Sequence, residues 1–402
     1  MTDYNVNNWL TPPYNRKAFQ FVQTLFPTVC ISRGNENTST LETSLDRQNE
    51  ILNISYPFIA GARTVNDFLE DTETDAFIVL KDGIVVAEKY YNGMEPYSKH
   101  LMNSVSKTFC GMVAGICIKN GVIDASKKIS FYVPEFANSA FRNATVQHCL
   151  DFTAAVKYDE KYQDDDFNLL DEHFTRETAV VGWRPDLVNS STPKTLKDFA
   201  TSLKAIDGDH KDGDHFHYRT VMTNIVAMVI ESATGKKFAE LLQDKIWRKM
   251  GCEQDAVVVV DSSGFPYMGA GMNASARDLA RFGQLLINDG YYNGQQIVPS
   301  QFIKDTRNGN DTLRSHFKKN KKFAGLMGGN GHYHNQTWCD RDSATLACIG
   351  IYGQTIYADQ KARVVVVKLS THLGPADTTK ISEAFFASRA ICAHLKGTSA
   401  KL

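Results

Sequence analysis

The stretch MNSVSKTFCGMVAGICI, residues 102 to 118, places a serine three positions ahead of a lysine at the start of a nearly apolar run. Apolar side chains recur there at helical spacing: Phe109, Met112, Val113, Ile116 and Cys117. A second row of residues lies about the width of one helical turn away from the first and consists of Ser104, Lys107, Gly111 and Gly115. Because hardly any polar face remains, the pattern predicts a helix that is buried on both sides and closely approached by a sheet along its glycines.

Ser104 and Lys107 face the same side of that helix, within hydrogen-bonding reach of each other. Burial without a carboxylate partner disfavours the ammonium form, so the lysine becomes available as a base. A serine at the helix N-terminus is then an activated nucleophile. The same spacing fits an N-cap at Ser104 with Lys107 extending to solvent, and the residues alone leave both interpretations open.

Two other S-x-x-K pairs occur in the chain, and their surroundings indicate surface positions. Ser191 and Lys194 enclose Pro193, which would interrupt a helix. Ser315 and Lys318 lie in DTLRSHFKKNKK, a basic and polar stretch in which no apolar face is evident.

The composition of the 402-residue chain, with 43% hydrophobic residues, is that of a globular protein with one large domain or two interleaved ones. Its 44 basic and 45 acidic residues nearly cancel, which gives no electrostatic reason to expect a nucleic acid or a membrane surface as partner. Eight cysteines without C-x-x-C spacing indicate thiols in a reducing compartment. The start MTDYNVNNWL lacks the features of a secretory signal, and we expect a cytoplasmic protein.

Local patterns predict the order of strands and helices. DAFIVLKDGIVVAEKYY predicts a hairpin over about residues 75–91 that turns at Lys81-Asp82-Gly83. Helices are predicted from 104 to Gly121, near 195–205, over 221–234 ending at Gly235, and over FAELLQDKIWRKM ending at Gly251. Later strands are AVVVV, ATLACIGIYGQTIYAD and RVVVVKLS, and later helices are one capped by Ser275 and one over about 380–395.

Strands at both ends of the main body, with helices between them, predict an α+β fold. It has a central antiparallel sheet flanked by helices and an inserted, mainly helical lobe. We predict an N-terminal extension over 1–74 that wraps the body, a sheet domain made of 75–103 and 255–402, and a helical lobe over 104–254. Within the lobe, the polar and aromatic segment over 155–190 has the length of a functional loop.

The candidate metal ligands are His215 with His217, His332 with His334, and the run Asp164-Asp165-Asp166. None of them has a third ligand at useful spacing or the ligand arrangement that a hard cation needs. No G-x-S-x-G motif accompanies the histidines, which disfavours a Ser-His-Asp triad. We therefore expect no metal and no cofactor, and interpret the histidines as loop or strand residues near the cleft.

Around Ser104 the chain resembles the penicillin-recognising serine hydrolases, the family of β-lactamases, DD-peptidases and related esterases, whose S-x-x-K motif opens a buried central helix. Segments similar to the 6-aminohexanoate-dimer hydrolase group of that family run along most of the chain: PPYNRKAF, TDAFIVLKDGIVVAEKYY, SVSKTFCG, SFYVPEF, GWR at 182–184, ARDLARFG, GIYGQ and VVVVKLS. The resemblance implies a β-lactamase/transpeptidase-like fold and favours the nucleophile interpretation of Ser104.

The family's second element is a tyrosine that shares proton transfer with the lysine, and its best match here is Tyr218. The motif Tyr218-Arg219-Thr220 departs from the usual Y-x-[NS]. Thr220 can replace the serine as a hydrogen-bonding group, but an amide is missing unless Asn224 serves. The positive charge of Arg219 is expected to lower the pKa of the tyrosine and favour the phenolate.

The third element is a strand beside the serine, matched by Gly350-Ile351-Tyr352-Gly353-Gln354. The resemblance implies an oxyanion hole formed by the backbone N–H groups of Ser104 and Ile351, with Tyr352 and Gly353 in contact with substrate. No lysine takes the place of the K-T-G lysine, which helps to hold the carboxylate of β-lactam and peptidoglycan substrates. Its absence disfavours β-lactamase or DD-peptidase as the main activity.

Tyr162 matches a tyrosine on the family's mobile substrate loop and is expected to close over a bound amide, although packing on its neighbours is the alternative. Trp183, in the segment GWR, is the other substrate-binding residue implied by the resemblance. Asp166, Asp171 and Glu172 are the candidates for receiving a substrate ammonium group.

Residues and resemblance together predict a serine hydrolase that cleaves small linear amides or esters through an acyl-enzyme. Ser104 is the nucleophile, and Lys107 and Tyr218 relay the proton. The expected partner is a small-molecule substrate, and the oligomeric state stays open, although relatives favour a homodimer. One alternative is a carboxylesterase of the same fold with little amidase activity. The other is a catalytically silent homologue that binds a peptide or small ligand.

Overall fold

A computed structural model of the protein describes residues 4–59, 61–162, 173–206, 208–320 and 323–397. The strands are β1 (Thr28–Ile31), β2 (Ser55–Phe58), β3 (Gly61–Thr64), β4 (Thr74–Lys81), β5 (Ile84–Tyr90), β6 (Lys99–Leu101), β7 (Ala256–Val259), β8 (Met272–Ser275), β9 (Tyr291–Tyr292), β10 (Gln295–Gln296), β11 (Gly331–His334), β12 (Thr337–Asp340), β13 (Thr345–Gly350), β14 (Gln354–Asp359) and β15 (Val364–Ser370). The helices are α1 (Asn15–Ala18), α2 (Gln48–Leu52), α3 (Val65–Asp71), α4 (Ser106–Lys119), α5 (Ile129–Tyr132), α6 (Val146–Leu150), α7 (His173–Val180), α8 (Leu196–Ser202), α9 (Val221–Thr234), α10 (Phe238–Leu242), α11 (Ala276–Ile287), α12 (Ser300–Asn308), α13 (Asp311–Lys319) and α14 (Thr378–Leu395).

A seven-stranded antiparallel sheet, in the order β11-β12-β13-β14-β15-β4-β5, forms the centre of the fold. Every residue of β4 and β15 is buried, as expected for central strands with a nearly continuous apolar sequence. Helix α11 packs closely on β15 because Gly283 presents no side chain there. The predicted α+β fold, with a central antiparallel sheet flanked by helices, is confirmed.

Strands β4 and β5 form the predicted hairpin, and the turn between them has the geometry that its sequence favours. Asp82 and Gly83 both have positive φ angles, 53° and 86°. Such a turn matches the twist of paired strands and suits aspartate and glycine. The Asp82 carboxylate also pairs with Lys81 and with Arg363, which ties this turn to the one between β14 and β15.

A second antiparallel sheet, in the order β1-β7-β8-β6, positions the start of α4. Strand β7 lies in the predicted strand AVVVV, and its partner β1 comes from the N-terminal residues. Directly after β6, the backbone N–H of Met102 donates to the oxygen of Met272 at 2.9 Å. Ser104 therefore follows a strand end that is fixed to a sheet.

Helix α4 begins after a short 3-10 turn at Asn103–Val105 and ends just before Gly121, close to the predicted limits. Its first twelve residues, from Ser106 to Cys117, are all buried. This burial is what a helix with one apolar face and one face of small residues requires. The helix end predicted at Gly235 is also confirmed, because this glycine adopts a left-handed conformation at the end of α9. The helix predicted up to Gly251 ends earlier, because α10 stops at Leu242 and a π-helix follows over Gln243–Trp247.

The glycines of α4 receive two different neighbours. A Cβ atom at Gly111 would lie 2.3 Å from the backbone oxygen of Asn335, in the turn between β11 and β12. The predicted close approach of a sheet is therefore confirmed at Gly111. At Gly115 the prediction is wrong, because the neighbour is the ring of Phe302 in α12, 2.4 Å from the Cβ position.

The described residues between 104 and 254 contain helices α4 to α10 and no strand. The N-terminal residues contribute β1 to the second sheet, and the β2–β3 hairpin packs on α14. The boundaries of the three predicted segments stay predictions. Among the described residues, no helix combines the length and the apolar character needed to cross a bilayer.

Replacing Gly111 with alanine is expected to destabilise the fold. The new methyl group would meet a backbone carbonyl at 2.3 Å, and overpacking of this kind costs about 1–3 kcal/mol. The helix-propensity gain of about 1 kcal/mol offsets only part of that cost. Urea unfolding followed by tryptophan fluorescence measures the free energy of unfolding. Gly61→Ala is the control, because no atom lies within 4 Å of its new Cβ; equal stability of the two variants would contradict the packing argument.

Candidate active site

Ser104 lies in the 3-10 turn between β6 and α4. The preceding residue, Asn103, has a φ of 47°, a left-handed conformation that asparagine adopts more readily than most residues. The side-chain amide of Asn103 donates to the backbone oxygen of Ile351 at 3.1 Å. The backbone oxygen of Asn103 accepts from the Ser106 hydroxyl at 2.6 Å. These bonds join the turn to the end of β13 and hold Ser104 near Ile351.

Lys107 is 1% exposed, and its Nζ donates to Ser104 Oγ at 2.7 Å and to the oxygen of Gly269. Burial lowers the pKa of Lys107 to about 8, against the opposing charges of Glu160 and Glu177. The N-cap interpretation is wrong on both of its points. No side-chain cap forms at the start of α4, and the amine is shielded from solvent.

Tyr218 completes this group of side chains. The Lys107 Nζ lies 5.2 Å from the centre of the Tyr218 ring, and Ser104 and Tyr218 border the same pocket. Burial, reinforced by the charge of Glu160, raises the pKa of Tyr218. The expectation that Arg219 favours the phenolate is therefore wrong. The Arg219 guanidinium is itself buried and donates to the oxygen of Ala154 at 2.9 Å.

Asn224 supports Lys107 through the backbone of Gly269. Its Oδ1 accepts from the N–H of Gly269 at 3.0 Å, and the Gly269 oxygen accepts from the lysine. Gly269 must be a glycine for this approach, because a Cβ there would lie 2.4 Å from a methyl carbon of Thr220. Asn224 thus supplies the amide that the Tyr218-Arg219-Thr220 motif lacks. It acts on Lys107 indirectly, through the peptide of Gly269.

Glu160 is a buried carboxylate that no sequence motif distinguishes. It accepts from the backbone N–H and the hydroxyl of Thr220, at 2.8 and 2.6 Å, and from the hydroxyl of Tyr162 at 3.0 Å. Burial raises its pKa, while the charge of Lys107 and these hydrogen bonds act against the rise. Thr220 therefore binds the carboxylate rather than the lysine.

Glu177, in α7, is a second buried carboxylate near the lysine. It accepts from the Asn224 amide at 2.6 Å and from the hydroxyl of Tyr158. Burial raises its pKa to about 8. Neither glutamate carries a sequence signal of its own, because an acidic residue in a polar stretch is normally solvated.

A pocket of about 90 Å³, here termed the nucleophile pocket, opens beside Ser104. Tyr162, Tyr218 and Ile351 also line it, so the structure brings these predicted residues together, with Lys107 buried behind them. The remaining lining is largely apolar and includes Phe323, Leu326, Trp338, Ile349 and Ile381.

The other predicted substrate contacts lie outside the nucleophile pocket. Trp183 and Tyr352 line an adjoining cavity, here termed the second cavity, which shares Tyr162 and Ile351 with the first. Tyr352 adopts a left-handed φ of 62°, and its ring packs edge-on against that of Phe19. Burial raises the pKa of Tyr352.

Gly353 lines neither of these two cavities. It has a φ of 90°, and a Cβ there would lie 2.2 Å from Nε2 of His372. The absence of a side chain at Gly353 therefore lets it pack against His372, and its contact with substrate stays a prediction.

The two other S-x-x-K serines, Ser191 and Ser315, are exposed, which confirms their surface positions. The expectation that the stretch around Ser315 lacks an apolar face is wrong. Helix α13 buries Leu313 and Phe317, and the ring of Phe317 contacts that of Trp338 at 6.0 Å between centres.

A second buried lysine and serine show that such a pair does not by itself make a site. Lys368 donates to the Ser370 hydroxyl in β15, and burial lowers the pKa of this lysine to about 7. Ser370 has no exposed surface and lines neither the nucleophile pocket nor the second cavity. Access to Ser104 from a pocket therefore distinguishes the first pair.

Two of the four histidines that the sequence offers as metal ligands have other partners. His332 contacts the oxygen of Thr306 at 3.0 Å, and Nδ1 of His334 lies 2.6 Å from Asp151. Within the part of the chain that the structure describes, no group of three or more His, Cys, Asp or Glu residues is arranged to hold a metal ion. The acidic candidates between residues 163 and 172 lie outside the described residues.

Comparisons with known proteins identify the family of this chain. The beta-lactamase family model matches residues 62–385. The 6-aminohexanoate-dimer hydrolase of Paenarthrobacter ureafaciens is 31% identical over 374 residues, 92% of this chain and 88% of that protein. The solved "Putative 6-aminohexanoate-dimer hydrolase from Bacillus anthracis" has a TM-score of 0.85 and 28% identity, and each chain is covered to 97%.

A solved family VIII carboxylesterase shares the fold, with a TM-score of 0.58 and 15% identity, covering 89% of this chain and 99% of that chain. The family match includes Ser104, Lys107, Tyr218 and Ile351, and the resemblance inferred from the sequence segments is confirmed. The chain belongs to the beta-lactamase family, as a member similar to 6-aminohexanoate-dimer hydrolase.

Proposed function

We propose that this protein is a serine hydrolase that cleaves small linear amides or esters through an acyl-enzyme, with Ser104 as nucleophile. The observation that carries the proposal is the buried amine of Lys107, 2.7 Å from the Ser104 oxygen, with its pKa lowered to about 8. With that pKa, about one amine in ten is uncharged at pH 7 and about half at pH 8. A usable base is thus present near neutral pH.

In the acylation step, the uncharged Lys107 takes the proton of the Ser104 hydroxyl while Oγ forms a bond to the substrate carbonyl carbon. The backbone N–H groups of Ser104 and Ile351 are the proposed donors to the oxyanion that develops. Their placement along one pocket, bridged by the Asn103 hydrogen bond, supports this assignment. The lysine then holds the proton as an ammonium.

Tyr218 is the proposed acid for the leaving group. Its phenol gives a proton to the departing nitrogen or oxygen as the bond to the carbonyl carbon breaks, and the Lys107 ammonium reprotonates it. The raised pKa of Tyr218 supports this role, because the phenol stays protonated until it is needed. Water then attacks the acyl carbonyl, its proton passes to the same pair of residues, and the Ser104 oxygen leaves protonated.

The substrate class follows from the lining of the nucleophile pocket. Its largely apolar walls favour uncharged acyl chains, since burying an unpaired charge there is costly. The similarity to 6-aminohexanoate-dimer hydrolase favours linear amides among the possible substrates. The segment 350–354 has no lysine in place of the K-T-G lysine of β-lactamases and DD-peptidases, which disfavours β-lactams. A panel of linear amides, simple esters and nitrocefin separates amidase, carboxylesterase and β-lactamase activities.

Replacing Ser104 with alanine is expected to abolish both hydrolysis of p-nitrophenyl acetate and covalent labelling by a fluorophosphonate, because the attacking oxygen is lost. Release of p-nitrophenol and mass spectrometry of the labelled protein are the two measurements. Ser191→Ala, at an exposed serine of another S-x-x-K pair, is the control and should keep both.

If Ser104→Ala hydrolysed the ester at the original rate, the assignment of Ser104 as the nucleophile would be wrong. A folded wild-type protein that takes up no fluorophosphonate would instead favour the catalytically silent homologue that binds a ligand in the same cleft.

The pH dependence should follow Lys107. We expect kcat/KM for a simple ester to rise as pH increases through about 8 and then to level off, because only the uncharged amine accepts the serine proton. Initial rates between pH 6 and 10, in the range where the fold is stable by circular dichroism, give the profile. A profile that is already level between pH 6 and 8 would assign the base to another group, such as a carboxylate with its ordinary pKa of about 4.

Tyr218→Phe tests the leaving-group step. An aliphatic amine or alkoxide must be protonated to leave, so hydrolysis of a linear amide or alkyl ester should fall by about 10²–10⁴-fold. p-Nitrophenolate leaves without a proton, so its ester should lose much less. Measuring kcat for both substrates in both proteins gives the ratio, and equal losses would mean that Tyr218 acts before the leaving group departs.

A further inference from the structure

Glu177, in α7, reaches Lys107 through a chain of neutral groups. Its side chain is fully buried, and the carboxylate accepts from the Asn224 amide in α9 at 2.6 Å. The oxygen of that amide accepts from the backbone N–H of Gly269 at 3.0 Å, and the backbone oxygen of Gly269 accepts from the Lys107 amine. A chain of hydrogen bonds therefore connects the carboxylate to the amine across two other residues.

The ionised carboxylate determines which way the Asn224 amide points. A carboxylate only accepts hydrogen bonds, whereas an amide has a donating nitrogen and an accepting oxygen. Contact with Glu177 therefore requires the nitrogen of Asn224, which leaves the oxygen for the N–H of Gly269. With the amide reversed, two acceptors would meet at one end and two donors at the other. Glu177 thus fixes the backbone of Gly269 in the position from which its oxygen binds the lysine.

Tyr158 holds the other oxygen of the carboxylate. Its hydroxyl donates to Glu177, and its ring contacts those of His173 and Phe199, at 5.7 and 6.4 Å between centres. Burial raises the pKa of Glu177 to about 8, against the opposing effect of the hydrogen bonds from Tyr158 and Asn224. A buried carboxylate with a donor on each oxygen is satisfied in its ionised form.

The ionisable groups that face Glu177 come from three segments: Lys107 from α4, Tyr158 and Glu160 from the segment before α7, and Tyr267 from the segment before β8. Lys107 is the one cation among these groups, and Glu177 raises the pKa of this lysine in return. The effect acts through space, because the hydrogen-bond chain itself carries no charge. Glu160 contributes in the same direction, but its own hydrogen bonds lie outside this chain.

We propose that Glu177 is a positioning residue of the active centre. Through the hydrogen-bond chain it holds the Lys107 amine beside Ser104, and its negative charge stabilises the ammonium that forms when the serine proton arrives. The inference rests on the proposed hydrolase activity. In the acylation step the proton moves from Ser104 to Lys107, and Glu177 neither gains nor loses one.

Glu177→Gln tests the charge while keeping the shape of the side chain. The glutamine oxygen can accept from Asn224, and its nitrogen can donate to the Tyr158 hydroxyl. Loss of the negative charge favours the uncharged lysine, so the midpoint of the pH profile of kcat/KM for p-nitrophenyl acetate should fall by about half a unit or more. The rate below the midpoint, relative to the plateau, should then rise about threefold or more. Initial rates measured across the range from neutral to alkaline pH give both quantities.

Glu383→Gln is the matched control. Glu383 is also a buried glutamate, 4% exposed, and its carboxylate accepts from the Tyr56 hydroxyl at 2.9 Å and from Arg63. It lines neither the nucleophile pocket nor the second cavity, and it is not among the groups that shift the pKa of Lys107. We expect the midpoint of the pH profile to stay as in the wild type.

Glu177→Leu tests the hydrogen-bond chain. It removes the charge together with the acceptor that fixes the Asn224 amide, whereas Glu177→Gln keeps an acceptor. Above the pH midpoint, fluorophosphonate labelling of Ser104 should therefore slow about tenfold or more in Glu177→Leu and about threefold or less in Glu177→Gln. Mass spectrometry of timed samples gives the labelling rates.

An unchanged pH midpoint in folded Glu177→Gln, or equal labelling rates in the Leu and Gln variants, would overturn the proposal. If circular dichroism shows that neither variant folds, Tyr158→Phe takes their place. It removes one donor from the carboxylate, which then carries less charge near neutral pH, so the midpoint should fall by a smaller amount, and no shift would contradict the proposal. Failure of the hydrolase assignment is recognised separately, because wild-type protein would then neither hydrolyse p-nitrophenyl acetate nor take up the label at any pH.

Discussion

The amine of Lys107 is buried, and the groups that bind it are neutral, so none of them forces it to stay protonated. Its two contacts are a hydroxyl and a peptide carbonyl, at Ser104 and Gly269, and no carboxylate among the described residues forms an ion pair with it. A carboxylate in contact would keep the amine protonated and remove it as a base. The Asn224 amide sets the orientation of the Gly269 peptide, so a neutral hydrogen-bond chain does the positioning that an ion pair would otherwise do.

The two buried glutamates partly offset the lowering of the Lys107 pKa by burial, although neither of them contacts the lysine. Glu160 and Glu177 both raise the pKa of Lys107, and each is itself bound by hydroxyl or amide donors instead of by the lysine. Their negative charges therefore limit how far burial lowers the pKa of Lys107. The same Glu160 raises the pKa of Tyr218, so one carboxylate favours the protonated form of both residues.

Much of this arrangement follows from local sequence. Helical spacing alone puts Ser104 and Lys107 on one face, the turn residues Asp82 and Gly83 specify a hairpin, and the apolar run of β15 requires a central strand. The resemblance to a family added Tyr218 and Ile351, which helical or strand periodicity does not distinguish from other residues. These features depend on neighbours in the chain or on patterns that recur in relatives.

The features that the sequence did not predict depend on contacts between residues that are far apart in the chain. Glu160 has the sequence surroundings of a solvated acid, and only the packing of Thr220 beside it shows that the carboxylate is buried. Arg219 lies next to Tyr218 in the chain, yet its guanidinium bonds to another loop. Burial of a charged group is decided by the tertiary structure, which local composition does not encode.

The pairing of β4 with β15 has a consequence for how the chain matures. These neighbours in the central sheet are about 290 positions apart in sequence, as the pairing of Lys368 with Phe77 illustrates. Contacts of such high sequence separation form slowly, because the loop between them must close first. During synthesis on the ribosome, the apolar edge of β4 therefore stays without its partner, exposed to aggregation and to chaperones, until β15 has emerged.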